Sequence, residues 1–122
     1  MELNADSITI LRSAFVMYEE KIELVMKTQP VTPEAISRTK ARLDSIRNKL
    51  FINPPETDFS FAELKYLFDG LKMFRECIEE GLSDFSAPDR ELSLTMQRSC
   101  NRLLREIRHF FLENGVEPER ID

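Results

Sequence analysis

The sequence predicts an all-α fold, an antiparallel up-down-up-down four-helix bundle formed by residues 1–122 as a single domain. Only 3 glycines and 6 prolines occur among 122 residues, and helix-favouring residues are abundant. No stretch shows the strict apolar alternation of β-strands. Turn residues divide the chain into four segments in which apolar residues recur every three or four positions, as on one face of a helix. Because the links between these segments are short, we expect consecutive helices to run antiparallel.

The first two helices are predicted over residues 6–27 and 33–50. Asp6 or Ser7 is a suitable N-cap for the first, and two prolines in the sequence TQPVTPE end it. Thr32 is the predicted N-cap of the second, because a proline follows it at the first helical position. The sequence NPPETD ends that helix.

The last two helices are predicted over residues 60–82 and 88–113. Ser60 and Glu63 have the spacing of a capping box, in which each side chain accepts a hydrogen bond from the other residue's backbone N–H. An Asn-Gly pair follows the fourth helix and is a typical C-terminal signal. We expect residues 115–122 to form a frayed tail.

The composition narrows the class of function. A net charge of -5 with a pI near 5.0 disfavours a surface that binds polyanions over its whole extent. No uncharged run approaches the roughly 18 to 20 residues that span a bilayer, and no secretory signal is seen, so we expect a cytoplasmic protein that does not bind membranes. Cys77 and Cys100 are far apart and predict buried free thiols. We expect no metal site and no cofactor, because phosphate-loop motifs and paired histidine ligands are lacking.

A stripe of basic residues follows one face of the predicted fourth helix. Arg98, Arg102, Arg105 and His109 lie on the side opposite its apolar arc. We expect this side to be exposed, as a solvated face or as a contact for an anion or an acidic partner. Phosphate contact by the stripe, and hence nucleic-acid binding, is one alternative.

Another alternative is an enzyme. Six residues separate Arg102 from His109. This spacing resembles that of the arginine and histidine in the HEPN superfamily of small all-helical ribonuclease domains. The resemblance implies that Arg102 would stabilise developing negative charge on a phosphodiester and that His109 would transfer a proton.

One arginine lies on the apolar face of the predicted third helix. Arg75 projects toward the predicted core side of the third helix, where an unpaired guanidinium would be costly. Glu19 on the first helix is the predicted partner for a buried ion pair. Alternatively, Arg75 extends along its aliphatic stem to the solvent.

The first and third helices each carry a second apolar row that one bundle core does not require. These rows predict a self-complementary patch and a homodimer. The alternative is that the first helix lies centrally and buries both of its rows. The predicted interface residues are Ile10, Met17, Leu24, Phe59, Tyr66, Met73 and Cys77.

Together these patterns favour a non-catalytic helical-bundle protein that acts through protein-protein contacts, as an adaptor, a regulator or an assembly subunit. The HEPN-like ribonuclease using Arg102 and His109 is the second hypothesis. Nucleic-acid binding without chemistry, through the arginine stripe, is the third.

Overall fold

A computed structural model of the chain describes residues 3–81 and 87–121. It confirms the all-α four-helix bundle. The four helices are α1 (Ala5–Thr28), α2 (Pro33–Leu50), α3 (Phe61–Gly81) and α4 (Ala87–Glu113), and a short 3-10 helix follows at Pro118–Arg120. Each predicted bound lies within one residue of the observed one, although Leu82, the predicted end of the third helix, lies outside the described residues.

Contacts between helix ends show how the first three helices run. Near the start of α1, the Arg12 guanidinium donates a 2.7 Å hydrogen bond to the Leu50 carbonyl at the end of α2. At the same end of α2, Lys49 donates a 2.9 Å hydrogen bond to Glu63 in the first turn of α3. Consecutive helices therefore reverse direction, as the short links predict.

The α3–α4 pair is antiparallel as well. The Phe61 ring at the start of α3 lies 5.6 Å from the Phe111 ring near the end of α4. At the opposite end, the Gln97 amide of α4 donates a 2.9 Å hydrogen bond to Glu79 of α3. None of the described helices combines the length and the apolar character needed to cross a membrane.

Helix α1 lies at the centre of the packing. It contacts the other three helices, and its contact with α3 is the most extensive in the protein. Gly70 permits this close approach, because a Cβ atom there would lie 3.2 Å from the Cβ of Tyr18. Ile10, predicted to lie in a dimer interface, is instead buried in the core of the bundle at 9 % exposure.

The helix caps agree with the sequence at three of four predicted positions. Thr32 caps α2, and Ser60 and Glu63 form the reciprocal capping box of α3. The first cap differs, because Asn4 accepts the hydrogen bond from the Ser7 N–H and α1 starts one residue earlier than predicted. Gly115, with φ of 72°, ends α4 in the left-handed conformation that glycine favours.

Residues 116–121 pack against the bundle, so the prediction of a frayed tail is wrong for them. Asp122, the last residue of the predicted tail, lies outside the described residues. The Val116 N–H bonds to the Phe111 carbonyl and reverses the chain. Pro118 is fully buried, and Ile121 packs against the core. Glu119 forms an ion pair with Arg108 of α4. Apolar contacts thus fasten a segment whose predicted flexibility was inferred from its position alone.

A closed polar cluster joins α2 to α3 around the buried carboxylate of Glu63. Its oxygens accept hydrogen bonds from Lys49, from the Ser45 hydroxyl and from the Ser60 N–H, at 2.7 to 2.9 Å. Burial alone would raise the pKa of Glu63, but these hydrogen bonds outweigh it and the net pKa is lowered. The hydrogen bond to Glu63 is also the main reason that the pKa of Lys49 is raised.

Candidate anion-binding site

The predicted arginine stripe divides into two parts in the structure. All four of its residues are exposed on α4. Arg98 and Arg105, however, line a cavity between α3 and α4, whereas Arg102 and His109 do not. The stripe is therefore two surfaces on neighbouring sides of one helix.

The cavity is a groove of about 450 Å³. Its floor is apolar and formed by Phe68 and Leu104, which are both buried. Asn101 lies in one wall. The other described lining residues, which come from both helices, are all cations: Lys72, Arg75, Arg98, Arg105 and Arg108. We call this set of eight residues the cationic groove.

Two basic side chains of the groove lie against the ring of Phe68. The Lys72 Nζ lies 5.2 Å from the centre of the Phe68 ring, and the Arg108 guanidinium carbon lies 5.3 Å from it. Both distances are within the range of cation–π attraction. The ring thus helps to fix two cations that would otherwise repel each other, and it leaves no exposed aromatic face among the described lining residues.

Arg75 is oriented by neighbours on both helices. Its Nη1 donates a 3.0 Å hydrogen bond to the Asn101 Oδ1, and its Nε lies 3.9 Å from Glu79. The predicted pair with Glu19 is wrong, since Glu19 forms an ion pair with Arg47 of α2 instead. Arg75 is only partly buried, at 31 % side-chain exposure, so its guanidinium reaches the groove.

Negative charge approaches the groove from one end. Glu119 of the C-terminal segment pairs with Arg108. Hydrogen bonds from its own backbone N–H and from Arg108, together with the charges of Arg108 and Lys72, lower the pKa of Glu119. No aspartate or glutamate is among the described residues that line the groove. The remainder of the groove is therefore strongly positive.

Arg102 and His109, the residues that resemble the HEPN pair, lie outside the groove. His109 is 74 % exposed, and its Nε2 lies 2.7 Å from Glu113 on the next turn of α4. The residues are seven positions apart, so they are separated by about 10 Å along the helix axis. The structure places both on the open surface of α4.

The predicted dimer interface is only partly exposed. Ile10 is buried, whereas Leu24 and Cys77 are exposed. The other four positions are half-buried: Met17, Phe59, Tyr66 and Met73. Part of the second apolar row is therefore covered by other helices of the same bundle. The reason is that α1 lies closer to the centre of the bundle than the sequence pattern predicts.

The two thiols differ in their surroundings. Both are free, and Cys100 is buried, but Cys77 is exposed rather than buried as predicted. Burial raises the pKa of Cys100 to about 11, against a smaller opposing effect of the nearby Arg75 charge. Cys100 is thus a protonated core residue at neutral pH.

Sequence reasoning missed Lys72 and Arg108 and assigned Arg75 another role. A signal was present, because Arg98, Asn101, Arg105 and Arg108 follow the spacing of one helix face. The Phe68, Lys72 and Arg75 spacing on the third helix is the same kind of signal. What the sequence does not supply is that the two faces meet.

Comparisons with known proteins add no assignment. The chain matches no family model, no curated protein and no solved structure. Among the residues that the structure describes, no group of three or more histidine, cysteine, aspartate or glutamate side chains is placed to hold a metal ion.

Proposed function

We propose that this chain is a cytoplasmic, non-catalytic binding protein, an adaptor or regulator, that holds an acidic segment of a partner protein in the cationic groove. The observation that carries the proposal is the convergence of five cations from two helices on one cavity without a carboxylate among its described lining residues. Like charges gathered in one cavity repel each other, and a bound anion would relieve that repulsion.

The charge distribution supports a binding role for the groove. The chain has 17 basic and 22 acidic residues, yet five of the basic residues gather in this cavity. Four of the five are arginines, whose planar donors match carboxylate geometry and pair with it bidentately. A local positive surface on an acidic protein favours a compact anionic partner and repels a long polyanion.

A peptide partner is favoured over a nucleic acid by two features. Phe68, the only ring among the described lining residues, is buried beneath Lys72 and Arg108 and presents no face on which a base could stack. In addition, the anion already at the groove's edge is a side-chain carboxylate on a peptide backbone, that of Glu119.

The test is the binding of a fluorescein-labelled peptide with a central run of glutamates, followed by anisotropy at low and physiological salt. We expect binding that weakens with salt, because exposed charges are screened. The double substitution Arg98→Gln with Arg105→Gln should weaken binding about tenfold or more, since each lost charged hydrogen bond removes roughly 1.5 to 3 kcal/mol.

Arg102→Gln is the matched control, because Arg102 is an exposed arginine of the same helix that lies outside the groove. It should bind the peptide as the wild type does. Equal losses in the control and the double variant, or no binding by the wild type at low salt, would contradict the proposal.

The alternative functions have their own readout. Single-stranded RNA is incubated with the wild type and with His109→Ala. Cleavage by the wild type that His109→Ala abolishes would replace the proposal with the ribonuclease hypothesis. RNA binding tighter than peptide binding, without cleavage, would replace it with nucleic-acid binding. Intact, unbound RNA is the result that we expect.

A further inference from the structure

The cationic groove contains more positive charge than the protein itself compensates. Arg108 pairs with Glu119 at one end, and the nearest carboxylate to Arg75 is 3.9 Å away on Glu79. Lys72, Arg98 and Arg105 form no ion pair with any carboxylate in the described parts of the chain. Three cations in one cavity therefore have no carboxylate in direct contact, although the charge of Lys72 acts on Glu119. A single bound carboxylate would compensate only one of them.

The polar groups of the groove are also of one kind, since the groove offers donors almost exclusively. Guanidinium and ammonium groups donate and cannot accept hydrogen bonds. The Asn101 Oδ1 already accepts from Arg75, so the free part of this amide is its NH₂ group. The ligand that satisfies such a site is rich in acceptors and carries no donors at its binding end.

From these two features, and resting on the function proposed above, we infer that the group bound in the groove is the phosphate of a phosphorylated side chain in the partner's segment. A phosphate monoester has three acceptor oxygens and a charge of nearly -2 at pH 7. It satisfies both the excess charge and the excess donors better than a carboxylate, which has two oxygens and a single charge.

The geometry of Arg75 makes it the anchor for this group. Its guanidinium is oriented by a hydrogen bond from Nη1 to Asn101 and by the carboxylate of Glu79 near Nε, and Glu79 accepts a hydrogen bond from the Gln97 amide. Nη2 has no protein partner among the described residues. A preoriented fork loses less conformational entropy on binding than a free side chain. Arg98 and Arg105 lie across the groove on α4, where they can reach the same phosphate from its other side.

The size of the cavity fits this occupant. Its volume of about 450 Å³ lies in the usual range for sites that take a small group. Arg98 and Arg108 are ten residues apart, so the groove is about 15 Å long at 1.5 Å per residue of helix. This length accommodates one phosphorylated side chain and a few flanking residues of an extended segment.

The experiment compares three labelled peptides that are identical except at one central position, which is serine, glutamate or phosphoserine. Anisotropy at pH 7.5 measures the three dissociation constants for the full chain. We expect the phosphoserine peptide to bind at least about tenfold more tightly than the glutamate peptide, as one or more added charged hydrogen bonds would give. The serine peptide should bind most weakly.

A pH series adds a second, independent readout. Lowering the pH from 7.5 to 5.5 should weaken binding of the phosphoserine peptide, because the phosphate gains its second proton with a pKa near 6. The glutamate peptide should change little over this range, since its pKa is about 4.3. Equal pH responses of the two peptides would overturn the inference.

The substitution Arg75→Lys distinguishes the effect of the paired guanidinium donors from the effect of the positive charge. The variant keeps the positive charge but loses the paired donors, so it should weaken binding of the phosphoserine peptide more than binding of the glutamate peptide, and the preference between them should shrink. Arg102→Lys is the control and should leave both affinities unchanged. An unchanged preference in Arg75→Lys would remove this residue from the anchor role.

The outcomes distinguish the two proposals. If the glutamate and phosphoserine peptides bind equally well, the inference of a phosphate fails and the proposed function stands. If neither binds, both fail. A single-stranded RNA of similar charge that binds more tightly than the phosphoserine peptide would assign the groove to nucleic-acid phosphates instead.

Discussion

Helix α3 has a polar cluster on each side, and the two clusters differ in how far their charged groups are paired within the protein. Toward α2, the Glu63 carboxylate accepts hydrogen bonds from the Lys49 ammonium, the Ser45 hydroxyl and the Ser60 N–H. Toward α4, the five cations of the cationic groove meet no carboxylate among the described lining residues. The first cluster is complete within the protein, whereas in the second only Arg75 and Arg108 have a carboxylate partner among the described residues. The comparison separates charges that hold the fold from charges that are available to a ligand.

The difference is visible in burial as well as in pairing. Glu63 is 5 % exposed, and each of its partners lies within hydrogen-bonding distance. Arg98 and Arg105 are exposed, so water solvates them when no ligand is bound. Removing a member of the first cluster should therefore affect stability, and removing a member of the second should affect binding.

The largest effect on stability is expected for Glu63→Ala. This change removes the acceptor of the Ser60 N–H and of the Ser45 hydroxyl and leaves Lys49 with only the Asp58 carbonyl. We expect the free energy of unfolding to fall by about 2 to 3 kcal/mol. Glu63→Gln keeps an acceptor for the Ser60 N–H and should lose about half as much. Urea unfolding followed by circular dichroism measures both. Losses below about 0.5 kcal/mol in both variants would mean that this cluster does not hold α2 to α3.

The pH dependence of unfolding sharpens the same point. The lowered pKa of Glu63 gives stability that is present above its ordinary value of 4.5 and is lost as the pH falls through the lowered value. The raised pKa of Lys49 gives stability that is present below 10.5 and is lost as the pH rises through the raised value. The stability difference between wild type and Glu63→Gln should therefore be greatest between about pH 5 and pH 10 and decline outside that range. A difference that is constant from pH 3 to pH 8 would contradict the assignment.

The groove should behave in the opposite way when its charges are removed. Arg98→Gln with Arg105→Gln should leave the free energy of unfolding within about 0.5 kcal/mol of the wild type, or raise it slightly, because like charges no longer repel. The measurement is the same urea titration, with Arg102→Gln as the control. A loss of more than about 1 kcal/mol would show that these arginines support the fold and would erase the contrast between the two clusters.

The smallest change in stability is expected at positions that belong to neither cluster. Leu24 and Cys77 are the exposed members of the predicted interface, so Leu24→Glu and Cys77→Glu should leave unfolding nearly unchanged while shifting a homodimer toward monomer. Light scattering measures the mass. Leu112→Glu alters another exposed leucine outside that set and is the control. A mass that is unchanged in both interface variants would count against dimerisation through this surface.

The sequence predicts those parts of the fold that depend on local spacing. The Thr32 cap and the Ser60–Glu63 capping box follow from residues within one turn of each other, and both are present. The burial of Ile10 does not follow in this way. It depends on packing between helices that are far apart in sequence, such as the close approach of α1 to α3 where Gly70 lies beside Tyr18.

The candidate site was predictable on one helix only. A helical-wheel projection shows on which side of α4 Arg98 and Arg105 lie, but it does not show which helix packs against that side. For this reason Arg75 was paired with Glu19 in prediction and with Asn101 in the structure. Pairing between helices depends on rotation and axial offset, which the periodicity of a single segment leaves undetermined.

Gly115 lies outside the groove, but the chain reversal at this residue determines where the following segment meets the end of the groove. Its positive φ, 72°, directs the following segment back along α4, where Glu119 reaches Arg108. A residue with a side chain would resist that angle and turn the segment elsewhere. The backbone angle at position 115 thus decides whether Glu119 neutralises Arg108 at the end of the groove, although position 115 itself is not among the lining residues.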